Sequence, residues 1–276
     1  MDAFICTACG TQYPPSHTPP ASCPICEDER QFIPQTGQSW TTQEKLALSH
    51  VNGWLEYEPD ILGIGTQPRF AIGQRALLLR TGHGNVLWDC ISMLDAATVT
   101  LLKALGGIQA MAISHPHFYT SMTDWSRAFS VPVHVHADDR EWIMRSDGEL
   151  ALWEGETLEL LPDVTLIRAG GHFAGSSMLH WARGAGGRGV LCASDTAYVV
   201  ADRKHVSFMR SYPNLIPLGA REVNAIAEAL APFEFDMMFG NFFDSVIRTG
   251  AKQAVERSVR RYLSAIGSAD PGDPAG

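Results

Sequence analysis

Four potential metal ligands, three histidines and one aspartate, follow apolar segments at three separate places in the sequence. Apolar runs of this length are typical of buried strands, and the residues after a strand end can turn toward a common point. The ligands and the runs before them are His115 and His117 after residues 110–113, His172 after 164–167, and Asp195 after 190–193. Because imidazole nitrogen and carboxylate oxygen both bind divalent metals, the sequence predicts a metal site.

The residues around these ligands resemble the metallo-β-lactamase-fold superfamily in order and spacing, over roughly residues 60–263. The motifs are His-x-His at 115–117, Gly-Gly-His-x-x-Gly-Ser at 170–176 and Ser-Asp-Thr at 194–196. The resemblance implies that the three histidines hold a first metal ion. It also implies that Asp195 binds at this site and bridges to a second ion where one is present.

The alternation of strand-like and helix-like segments predicts only an α/β fold. The resemblance implies more, namely a four-layer αββα sandwich with the metal at one edge of its two sheets. It also implies that Asp89, which ends a strand at 86–88, supports the metal-binding histidines by hydrogen bonding.

The chain departs from the family pattern at the ligands of a second metal. The usual motif is His-x-His-x-Asp-His, and Tyr119 and Thr120 stand where the aspartate and the last histidine are expected. A further family histidine follows a glycine near the final strand, and here Gly240 is followed by Asn241. These departures favour a single metal ion.

The six cysteines fall into two classes. Cys90 and Cys192 stand alone in apolar strand contexts, typical of buried, unreactive side chains. The other four form two C-x-x-C pairs, which predict a structural metal-binding knuckle: Cys6, Cys9, Cys23 and Cys26. This knuckle resembles the rubredoxin-like knuckles of rubrerythrins, so both zinc and iron are candidate metals.

The predicted order along the chain is a knuckle, a connection, the α/β domain and a tail. Their ranges are the knuckle at 1–34, a linker with a docking helix at 35–59, the metallo-β-lactamase-like domain at 60–266 and a disordered tail at 267–276. Within the domain we expect a strand at 70–73 and a long irregular stretch at 198–217 at the mouth of the substrate pocket.

The net charge of −9 argues against nucleic acid or an anionic membrane as a main partner. No apolar run approaches the ~20 residues that span a bilayer, and the N-terminus lacks the pattern of a secretory signal. We therefore expect a cytoplasmic protein that acts on a small-molecule substrate.

The leading functional hypothesis is metal-dependent hydrolysis of an ester, thioester, lactone or amide bond by zinc-bound hydroxide. Asp195 is then a ligand or orients the attacking water, and Tyr119 is a candidate donor to the developing oxyanion. His205, in the 198–217 stretch, is a further candidate catalytic residue. Two alternatives remain: a mononuclear non-haem iron oxygenase, similar to the persulfide dioxygenases of the same superfamily, and a binding module whose catalytic site has decayed.

Overall fold

The structure is a computed structural model that describes residues 1–267. All but the first residue of the predicted tail at 267–276 lies outside the described residues. Among the described residues, none of the helices combines the length and the apolar character that crossing a bilayer requires.

A seven-stranded sheet, here called the first sheet, contains its strands in the order of the sequence. The first four strands are antiparallel, and the last three continue the sheet in parallel. The strands are Val51–Glu58, Ile61–Gln67, Ala76–Thr81, Gly84–Trp88, Ala110–Ala112, Val133–His136 and Leu150–Trp153.

A six-stranded sheet, the second sheet, is antiparallel apart from one parallel pair between its fourth and fifth strands. Its strands are Thr157–Leu161, Val164–Arg168, Ser177–Trp181, Val190–Cys192, Met237–Phe239 and Val246–Ile247. Three two-stranded ladders complete the β structure: Ile5–Cys6 with Trp40–Thr41, Tyr198–Val199 with Val206–Ser207, and Met209–Ser211 with Ile216–Pro217.

Helices cover the outer face of each sheet. The α-helices are Pro24–Glu27, Gln43–Leu46, Ala96–Ala104, Met122–Phe129, Gly184–Gly187, Ala220–Leu230 and Ala251–Ala265. Two 3-10 helices, Pro116–Phe118 and Ala137–Trp142, lie in connections of the first sheet.

Alternate side chains of each strand face opposite layers, and this alternation builds the four-layer sandwich. Leu77 and Leu79 belong to the cluster between the two sheets, together with Leu166 and Leu179 of the second sheet. Leu78, between the first two, faces a separate cluster beneath the outer helices. The predicted αββα arrangement is therefore confirmed.

Three local predictions differ from the structure. Residues 51–58, placed in the linker, form the edge strand of the first sheet; Val51 and Leu55 are exposed there, so the segment lacks a clear alternation. The strand expected at 70–73 is instead a turn, in which Ala71 has a left-handed φ of 51°. The stretch at 198–217 is less irregular than expected, because it contains two short antiparallel ladders.

The four N-terminal cysteines converge on one point. Their sulfur atoms lie 3.7 Å apart for Cys6 and Cys26 and 3.6 Å apart for Cys9 and Cys23, and none is in a disulfide. Sulfur ligands around a tetrahedral ion with bonds of about 2.3 Å lie about 3.8 Å from one another. The spacing therefore fits a tetrahedral metal site with four sulfur ligands.

The knuckle packs against the α/β domain. Trp142 and Ile72 contact its apolar cluster, and Gln12 donates a backbone hydrogen bond of 3.0 Å to the carbonyl of Thr120. Ser92 Oγ donates to the carbonyl of Gly10 at 2.9 Å. The knuckle and the domain thus share an interface that includes the loop after His117.

We expect Cys9→Ser to remove about one metal ion per chain and to lower the melting temperature, because metal binding stabilises a segment too short to form a core alone. Elemental analysis and thermal unfolding measure the two effects. The matched control is Cys90→Ala, which truncates an isolated buried thiol and should cost only about 1 kcal/mol while leaving the metal content unchanged. An unaltered metal count in Cys9→Ser would contradict this assignment.

Candidate metal centre

His115 and His117 lie where the strand Ala110–Ala112 ends and the 3-10 helix Pro116–Phe118 begins. The backbone N–H of Ser114 donates to Asp89 Oδ1 at 2.8 Å, which anchors the start of this loop. Asp89 was expected to bond to the histidines themselves. The structure instead shows its carboxylate accepting from the backbone, so it positions the loop rather than an imidazole.

His172 and Asp195 follow strands of the second sheet through turns with left-handed residues. Gly170 and Gly171 have φ angles of 64° and 78°, and a Cβ on Gly171 would meet Leu218 at 2.9 Å. The left-handed backbone conformation at position 171 therefore favours glycine, and a larger side chain would have to displace Leu218. Both ligands emerge at the edge of the sandwich where the His115 loop lies.

The three histidines and the aspartate meet at one point. Asp195 Oδ2 lies 3.3 Å from His115 Nε2, 4.0 Å from His117 Nδ1 and 3.8 Å from His172 Nε2. His172 Nε2 and His117 Nδ1 are 3.2 Å apart. All four ligand atoms lie within 4.8 Å of one another, and each residue is buried.

Hydrogen bonds outside the cluster orient two of the rings. His172 Nδ1 lies 3.1 Å from the carbonyl oxygen of Met209 and donates a hydrogen bond to it. The other ring nitrogen, Nε2, is then free to bind a cation. His115 Nδ1 lies 2.8 Å from Ser114 Oγ, so its Nε2 also faces the common point. That Nε2 atom is buried without a hydrogen-bond partner, and a cation at the common point would satisfy it.

The ionisation of the cluster also suits a metal ion. Burial lowers the pKa of His117 to about 4 and holds the pKa of His172 well below its usual value. Burial opposes the ionisation of Asp195, but the adjacent imidazoles of His115 and His117 keep the pKa of this carboxyl below its ordinary value. Near neutral pH, His117 and His172 are thus neutral and Asp195 is ionised, the forms that ligate metals.

The positions of the family's second-metal ligands have other roles here. Asn241 Nδ2 donates to Asp195 Oδ1 at 2.5 Å, so the second oxygen of this carboxylate is already bonded to an amide. Tyr119 is buried in the cluster under the outer helices, and Thr120 is buried beside the knuckle. In residues 1–267, the groups that could hold a metal are the four cysteines and the cluster of His115, His117, His172 and Asp195.

Two predicted catalytic residues lie apart from this centre. Tyr119 packs among apolar side chains, and burial, reinforced by the charge of Asp139, raises the pKa of its hydroxyl. His205 pairs with Asp202 at 2.7 Å in the turn before the strand Val206–Ser207. Neither side chain belongs to the metal-binding group, and a catalytic role for either stays a prediction.

Two residues of the knuckle reach the centre, and the sequence analysis did not identify them. The Arg30 guanidinium lies 3.7 Å from the ring centroid of Phe173 and donates to the carbonyl of His172 at 3.4 Å. Gln31 Nε2 lies 3.4 Å from His117 Nδ1. Their only sequence signal is a position just after the second C-x-x-C pair.

The four candidate ligands are almost entirely shielded from solvent. The histidines are only 1–2% exposed and Asp195 is 8% exposed. A cavity of about 470 Å³ lies beside the His172 loop, lined by Arg30, Gly171, Phe173 and Arg210 among others. Arg30 of the knuckle therefore forms part of the wall of this cavity.

We expect His172→Ala, and separately His117→Ala, to reduce the metal content to that of the knuckle alone, because each removes one ligand of a single shared ion. Elemental analysis of folded protein measures this loss. His83→Ala is the control, since His83 lies in an exposed turn and should leave the content unchanged. Full metal occupancy in both ligand variants would refute the site.

No family model matches the chain. The Bacillus subtilis (strain 168) protein YmaE, which is described as uncharacterized, is 45% identical over 270 residues. The match spans 97% of this chain and 98% of YmaE.

Solved metallo-β-lactamase structures share the fold at low sequence identity. VMB-1 is 10% identical with a TM-score of 0.58, covering 78% of this chain and 98% of its own. DIM-1 is 12% identical with a TM-score of 0.54, covering 75% and 97%. The enzyme from Hirschia baltica is 15% identical with a TM-score of 0.52, covering 75% and 96%. The chain therefore belongs to the family of YmaE and has the metallo-β-lactamase fold.

Proposed function

We propose that the chain is a metal-dependent hydrolase that uses one ion, zinc, held by His115, His117, His172 and Asp195. The observation that carries this proposal is the convergence of four buried ligand atoms within 4.8 Å. Three nitrogen donors and one oxygen donor suit zinc in a catalytic site. The substrate class is a small molecule with an ester, thioester, lactone or amide bond.

A zinc ion in this position would activate a water molecule and polarise a substrate carbonyl. The protein side chains would set the geometry around it. Asn241 fixes Asp195 by holding Oδ1, so that Oδ2 points to the other ligands. Because its pKa is low, the Asp195 carboxylate can accept a hydrogen bond from a nucleophilic water and orient it.

The burial of the ligands supports a small substrate. A folded macromolecule could not bring a bond to histidines that are 1–2% exposed, whereas a slender acyl group could enter from the edge of the sandwich. The acidic net charge of −9 also disfavours RNA as the substrate.

We expect zinc-loaded protein to hydrolyse at least one member of a panel of esters, thioesters, lactones and amides. Asp195→Asn should lower kcat/KM by about 100-fold or more, because the site loses an anionic ligand that orients water. Asp60→Asn is the matched control, since it makes the same change at an exposed position.

The metal content and the activity of the purified protein distinguish the hydrolase from the oxygenase and from the binding module. Iron in the centre with substrate-dependent oxygen uptake would favour the oxygenase and overturn the hydrolase. A filled centre with neither hydrolysis nor oxygen uptake would favour the binding module.

A further inference from the structure

The four-cysteine knuckle places one polar side chain against the ligand atoms of the other centre. Gln31 Nε2 lies 3.4 Å from His117 Nδ1, which is the ring atom facing Asp195 and His172. Neighbouring ligands of an ion that binds five or six ligands with bonds of about 2.1 Å lie about 3.0 to 3.6 Å apart. The Gln31 amide therefore stands at the distance from His117 that a neighbouring ligand would have.

We propose that Gln31 is a further ligand of the metal centre and that its side-chain oxygen faces the ion. The two ends of a glutamine amide have nearly the same shape, so the end facing the centre follows from its partners. A metal ion bound to His117 Nδ1 uses the lone pair of that nitrogen, which can then no longer accept a hydrogen bond from the Gln31 amide. The amide oxygen is then the end that the positive charge attracts.

The segment before Gln31 is held in place by several contacts with the α/β domain. Asn214 Nδ2 donates to the carbonyls of Glu29 and Gln31 at 2.8 and 2.9 Å. Ser211 Oγ donates to the carbonyl of Arg30 at 3.2 Å, and Glu29 pairs with Arg210 at 2.5 Å. Because this segment is already held in place, binding of Gln31 to the ion would cost little further conformational entropy.

The knuckle fixes the same segment from its other side. Gln31 follows Cys26 by five residues, and its backbone N–H donates to the carbonyl of Asp28 at 3.0 Å. Asp28 in turn binds the Arg30 guanidinium at 2.6 Å, and that guanidinium covers Phe173 next to His172. The knuckle is thus a structural part of the metal centre, and Gln31 adds a ligand to the four from the α/β domain.

The inference rests on the metal site of the proposed function, and cobalt binding tests it without any substrate. Co²⁺ bound in the knuckle gives thiolate charge-transfer absorption. Binding of Co²⁺ at the histidine centre is then measured from the additional visible bands that appear after the knuckle is filled. We expect Gln31→Ala to weaken Co²⁺ binding at the histidine centre about 10-fold or more and to change its visible bands. The thiolate absorption should stay unchanged.

Two further variants separate the loss of the oxygen ligand from a general effect of substitution. Gln31→Glu retains an oxygen ligand and should keep or increase the affinity of the histidine centre. Gln35→Ala changes an exposed glutamine four residues further along and should match the wild type. Wild-type affinity and unchanged visible bands in Gln31→Ala would overturn the role of Gln31 alone. Wild-type protein that binds Co²⁺ only in its knuckle would overturn both this inference and the proposed hydrolase centre.

Discussion

The burial of four polar ligand atoms around one point is the constraint on which the rest of the structure depends. Removing an aspartate and three histidines from water is costly unless they are paired or bind an ion. Hydrogen bonds to Met209, Ser114 and Asn241 hold the outward-facing atoms of His172, His115 and Asp195, and the inward-facing atoms remain available to a cation. A cation at the common point would offset this cost, so the arrangement suits a metal centre.

The centre also joins the two sheets. His115 and His117 come from the first sheet, while His172 and Asp195 come from the second. Ser114 reinforces this junction, because its hydroxyl donates to Ser194 Oγ at 2.9 Å and its carbonyl accepts from the N–H of Ser177 at 2.8 Å. The ligands are held by strand ends, and the core between the sheets sets the relative position of those strand ends.

The knuckle covers one side of the histidine centre, because Arg30 and Gln31 contact His172 and His117. Its four cysteines lie at metal-ligand spacing, and the chain that leaves the last of them passes directly over His172 and His117. Two metal-binding groups are therefore connected by a short segment anchored at both ends. Arg30 and Gln31 therefore place the knuckle in direct contact with the histidine centre.

The sequence by itself predicted the two ligand sets and an α/β fold, and its resemblance to a known superfamily implied the four-layer sandwich. Each ligand stands in a short motif after an apolar run, and both signals are local. The edge strand at 51–58 escaped prediction because its exposed apolar residues lack alternation. Only the tertiary structure decided that Gln31 meets His117, that Asn241 binds Asp195, and that Tyr119 and His205 lie elsewhere. These contacts join residues 46 to 86 positions apart or depend on which face of the core a side chain occupies, and no local pattern carries that information.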